Sequence, residues 1–172
     1  MENQAFLDKF NTVEDLLSTG DMLLYKSTDW DLAVKTLHAA VVQRVAAEPD
    51  FEVWVPLRYW QYAKSKDRAA GLYIEVFDVY ISNKGRVYNL NGNDGSEPHF
   101  GTEDSNGYKT FSVTVDDKSK SLMVERAVAC CFLPIPDDLA THKIIDLEVG
   151  HRDEDRANND VMNLFWKLTK DM

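Results

Sequence analysis

The sequence predicts an α+β protein in which an N-terminal helical hairpin precedes a series of antiparallel β hairpins. Three observations carry this. Apolar residues recur at three- and four-residue steps through the first fifty positions. From Phe51 the chain changes to aromatic and β-branched residues in alternation. Polar, glycine-containing turn signatures then separate the apolar runs.

Taken in order, Phe6, Phe10, Val13, Leu16 and Leu17 share one face of a first helix. A second helix begins at a capping-box-like pair, Thr28 and Asp31, carries the stripe Val34, Leu37, Val41 and Val45, and ends near Pro49. Two helices alone bury too little surface to stand by themselves, so the pair should dock on the body that follows. Leu72–Val79 alternates as a strand, Ser82-Asn83-Lys84-Gly85 is a turn, and Arg86–Leu90 is the returning strand. Residues 91–107, rich in Gly, Asn, Asp and Ser, read as a long surface loop. Phe111–Val115 and Leu122–Val124 form a hairpin over the polar turn Asp116–Lys120, and Arg126–Phe132 is a short helix closed by Pro134 and Pro136. Ile144–Val149 is expected as a strand and Asn159–Lys167 as a final helix. The domain expectation is a helical extension over 1–50, a small β module over 51–107 and a C-terminal core over 108–172.

The 172 residues suffice for one domain with an appendage. Hydrophobic residues at 44% and charged residues at 28% exclude a disordered chain. No apolar run approaches the roughly 18–20 residues of a membrane span, and MENQAFLDKF lacks a signal pattern, so a cytosolic protein without a membrane partner is expected. Adjacent Cys130 and Cys131 match neither a disulfide nor zinc-ligand spacing, and in their apolar run they read as small buried residues. A formal net charge of −10 argues against a general nucleic-acid binder, whose affinity comes from Lys and Arg displacing phosphate counterions. The densest basic cluster, Arg58, Lys64, Lys66 and Arg68, lies mid-chain among the aromatics Trp54, Tyr59, Trp60 and Tyr62. That group could stack on bases, or pack the helices on the sheet. His38, His99 and His142 have no ligand partner at useful spacing.

The stretch from Gly150 to Trp166 is the most informative. An apolar strand delivers His151, an acidic and Asn-rich loop follows, and Asn163-Leu164-x-Trp166 closes the segment. This resembles the HNH nucleases of phage and intron-borne type, whose familiar run is Asp-His-x-Asp-Gly-x-x-x-Asn-Asn-x-x-x-Asn-Leu-x-Trp. Matches fall on His151, Asp153, Asn158, Asn159, Asn163, Leu164 and Trp166. Upstream, Asn106-Gly107-Tyr108-Lys109 and Val124-Glu125-Arg126-Ala127-Val128-Ala129 are similar to the family's Gly-Tyr strand and Val-His-Arg-Leu-Val-Ala helix start. Ser82-Asn83-Lys84-Gly85-Arg86-Val87 resembles the Ser-Asn-x-Gly-Arg-Val signature of the small module that often precedes such domains. Glu52–Pro56 looks like its opening, with an insertion at about residues 58–73. Three ordered motifs thus cover roughly residues 52–170.

The resemblance implies a ββα-metal (HNH-like) core over 108–172, with His151 as general base and Asn163, or one of Asn158 and Asn159, bracing the loop. Such a His deprotonates the attacking water while one divalent ion stabilises the phosphorane. It further implies that Lys84, Arg86, Lys109 and Arg126 lie where the family presents basic or polar groups to DNA. The sequence departs from the family at the metal. The position before His151, ordinarily Asp or His, is Gly150; the family's upstream His is Glu125; and the helical ligand would fall at or past Met172. Losing donors removes most affinity for a hard cation. The expectation is therefore no cofactor and a non-catalytic descendant of phage accessory type. It would bind a protein, such as a basic host nucleic-acid or defence enzyme; for the four basic residues, ordinary strand-face solubilisation stands beside the DNA-facing reading. The alternatives are an active endonuclease with a rearranged site, using His151 with Glu148 or Asp153 on Mg²⁺ or Mn²⁺, and a module that binds duplex DNA without cutting.

Overall fold

A computed structural model describes residues 30–61, 72–89, 97–139 and 147–169. The first predicted helix, the basic residues 64–68, Tyr62, His142 and the start of the expected 144–149 strand lie outside these residues. The architecture is α+β with antiparallel sheets. Among the described residues no helix is long and apolar enough to cross a membrane.

Helix α1 (Trp30–Ala47) opens with Asp31 in its first turn and closes with Arg44 in its last, both complementing the helix dipole. Its apolar stripe buries Ala33, Val34, Leu37 and Val41, as the spacing requires. The guanidinium of Arg44 lies 4.5 Å over the Phe51 ring, which ties the helix end to the chain entering the first sheet.

Strands β1 (Trp54–Gln61), β2 (Leu72–Ser82) and β3 (Val87–Asn89) form one antiparallel sheet in that order. Val53, Val55, Leu57 and Tyr59 are each fully buried, a period-two pattern that points one face of β1 at the core. Pro56 lacks a ladder N–H, and beside it the register jumps: Pro56 faces Tyr80 while Leu57 faces Val76. A second sheet holds β4 (Thr102–Glu103), β5 (Lys109–Val115) and β6 (Lys118–Met123). The loop expected over 91–107 thus contains a short strand, and His99 also bridges Val87 by backbone bonds. Asp116 and Asp117, both at positive φ, make the tight β5–β6 turn.

Helix α2 (Val124–Phe132) is the centre of the molecule, with all nine residues buried. One apolar cluster joins it to α1, β1, β2, β5, β6 and Leu164. Cys130 and Cys131 are reduced and buried, as read from the sequence. Their Sγ atoms accept from Trp60 N and Arg58 N, at 3.4 and 3.5 Å, where α2 lies against β1. His38 spans α1 to α2, its Nδ1 3.1 Å from the Phe132 carbonyl.

The last sheet pairs β7 (Leu147–His151) with β8 (Leu164–Leu168). The expected final helix over 159–167 is therefore corrected. Only Val161–Asn163 is helical, a single 3-10 turn capped by Asp160, and the chain then extends. Helical spacing and strand alternation cannot be distinguished over so few residues. Tertiary pairing decides: Leu164 and Trp166 face α2 and are buried, while the ladder to β7 takes the backbone bonds.

Candidate functional site

His151 ends β7, and the loop 152–160 folds back beneath it before β8 returns. Asn159, 3% exposed, accepts from His151 Nε2 through Oδ1 at 2.8 Å. A proton on Nε2 leaves Nδ1 with its lone pair, the arrangement a general base needs. Asn163 has a different task. Its Oδ1 accepts from Asp153 N at 3.1 Å, and its Nδ2 donates to Asp153 Oδ1 and the Asn158 carbonyl at 2.9 and 2.8 Å. The backbone adds Arg152 N to Asn163 O and Glu154 N to His151 O. The family-like asparagines are thus divided between the imidazole and the loop.

The metal position does not fit. Gly150 carries no donor, and antiparallel register sets it opposite Phe165. A Cβ at 150 would lie 2.5 Å from Phe165 Cζ, so the ring fills the space a ligating side chain would enter. Arg152 in turn lies over that ring at 5.5 Å. The substitutes named from the sequence are engaged elsewhere. Glu148 pairs with Lys167 across the ladder at 3.5 Å. The Asp153 carboxylate accepts from Asn158, the Asp155 amide and Asn163, and these bonds hold its pKa below the usual value. Among the described residues no three His, Cys, Asp or Glu side chains gather as a cation site.

Glu125 stands where the family has a His. It is 8% exposed at the first turn of α2. Burial, with Glu148 adding to it, pushes its carboxyl up to about 7 against the opposing pull of Arg126, Arg156 and Lys167.

The four residues read as DNA-facing make the following contacts. Arg126 is 7% exposed; its Nε donates to the Trp60 carbonyl, its Nη1 to the Leu147 carbonyl at 2.6 Å, and it lies over the Trp166 ring. Arg86 makes a two-point contact with Glu52 and lies 5.4 Å over Trp54. Lys84 reaches the Pro49 carbonyl and Asp160. Lys109 is half-buried at the start of β5, opposite Glu103. Of the aromatic group, Trp54 and Tyr59 are fully buried, and Trp60 is 37% exposed.

Sequence reading missed Phe165. Its signal was available in register: an aromatic across the ladder from a glycine could have been found once Leu164–Leu168 was recognised as a strand. Arg156 was missed too. It donates to the Asn106 carbonyl and lies 4.6 Å over Tyr108, joining the Gly-Tyr segment to the His151 loop.

No family model matches the chain. Two uncharacterised HNH endonucleases of Acanthamoeba polyphaga mimivirus do match in sequence. One is 29% identical over 114 residues, 64% of this chain and 32% of its own; the other is 30% identical over 115 residues, 62% and 26%. The chain therefore spans a third or less of the length of these relatives. Among solved structures, the HNH homing endonuclease I-HmuI, described in DNA binding and cleavage, overlays 54% of this chain and 48% of its own at 25% identity and a TM-score of 0.43. Ordered motifs and sequence likeness over nearly two thirds of its length agree: the chain is similar to the HNH-type endonucleases.

Proposed function

We propose that this chain is an HNH-type scaffold that has lost metal-dependent cleavage and acts by binding. The observation that carries the reading is the Phe165 ring over Gly150, in the position next to the base where a ligand would have to stand. A hard cation needs a nearly complete oxygen and nitrogen shell, and a filled ligand position removes affinity at its source. A net charge of −10 favours a basic protein partner, such as a nucleic-acid enzyme, over bare DNA. Plasmid nicking in Mg²⁺ or Mn²⁺ tests it. Intact plasmid is expected from the wild type, and nicking that His151→Ala abolishes would overturn the reading.

One observation favours a second reading, an active endonuclease. The His151–Asn159 bond keeps the imidazole in the tautomer a base requires. Under that reading the same assay gives nicks, and His151→Ala removes them.

A further inference from the structure

We propose that the Ser82–Arg86 turn is a positioning device for His151: it seats the backbone at Asn159, and Asn159 in turn fixes the imidazole. The turn belongs to the segment that resembles a separate module, yet its bonds run into the His151 loop. Asn83 is fully buried and clamps two stretches of chain. Its Oδ1 accepts from Val53 N at 2.8 Å and its Nδ2 donates to the Phe51 carbonyl at 3.0 Å. Its own carbonyl accepts from Val161 N at 2.9 Å, two residues beyond Asn159. Lys84 Nζ reaches Asp160 Oδ2 at 3.3 Å from the same turn.

Gly85 makes the seat. It sits at φ +89, and a Cβ there would lie 2.8 Å from the Asn159 carbonyl oxygen and 2.9 Å from its Cβ. Glycine is thus required twice, for the left-handed turn and for direct backbone contact with Asn159. The bond from Asn159 Oδ1 to His151 Nε2 transmits that placement to the ring. A side-chain amide can hold one tautomer only while its backbone is fixed, which is what close approach on one side and the Val161 bond on the other achieve. Asn83 and Gly85 are therefore positioning residues, acting through Asn159. The inference concerns the ring's orientation and holds whether or not the chain cleaves.

The test is the ring-nitrogen NMR spectrum of His151 in the whole chain at mildly alkaline pH. The wild type should show two widely separated nitrogens, a protonated Nε2 and a bare Nδ1. In Gly85→Ala the separation should narrow as the tautomers mix, while the amides of α2 keep their positions. A folded Gly85→Ala with unchanged ring nitrogens overturns the proposal. Should that variant not fold, Lys84→Ala decides by the same spectrum: narrowing supports it, and an unchanged pair overturns it.

Discussion

Replacing Gly150 by Ala should destabilise the protein through one identifiable contact. The new Cβ would stand 2.5 Å from Phe165 Cζ and 2.9 Å from both Cε atoms. Ordinary carbon contacts lie near 3.5–4.0 Å, so the ring must retreat by about 1 Å. Its retreat disturbs Arg152, which lies over it. Overpacking of this kind costs roughly 1–3 kcal/mol. Gly150 is not in the left-handed region, so alanine recovers about 0.4–1 kcal/mol from a less flexible unfolded chain, and the net remains destabilising. For a chain of this length each kcal/mol lowers Tm by about 2–4 °C. Equilibrium urea unfolding of Gly150→Ala, Phe165→Ala and the double variant isolates the contact. The double variant should be more stable than the sum of the singles by about 1 kcal/mol or more. Additive single effects would show that the ring does not occupy the space, and would remove the main support for a lost metal position.

Two further outcomes follow from buried groups. Because the folded Glu125 carboxyl is pushed up to about 7 from 4.5, its contribution to stability is present below the unfolded value and is lost as pH rises from about 4.5 through 7. Glu125→Gln should therefore flatten the pH dependence of urea unfolding in that window and gain at most about 3 kcal/mol at neutral pH; an unchanged slope would contradict the burial. Arg126→Ala removes the charged hydrogen bonds to the Trp60 and Leu147 carbonyls and the contact with the Trp166 ring, and should cost about 3 kcal/mol in the same assay; a loss within about 0.5 kcal/mol would contradict the observed contacts.

Much of this fold was legible in the sequence because pattern and packing agree there. The α1 stripe and the β5–β6 hairpin bury the residues their spacing singles out, and α2 buries the apolar run that contains Cys130 and Cys131. Reading failed where a short segment is decided by its neighbour. Leu164–Leu168 has an apolar spacing that fits either period, and only pairing with β7 makes it a strand. The burial of Arg126 and Glu125 was hidden for a related reason. Both charges lie on a nine-residue helix enclosed on every side, where sequence amphipathicity gives no warning. At the site, His151 and its asparagines were named from the motif. Which asparagine braces what, and that Lys84 and Gly85 reach the same loop, depends on contacts between distant segments.

Paramagnetic Mn²⁺ titration of the isotopically labelled chain tests most directly whether the base has outlived its metal position. No saturable, localised broadening is expected at Gly150 and His151. Broadening centred on those two residues at low Mn²⁺, displaced by Mg²⁺, would show that a cation is held beside His151 and would contradict the account.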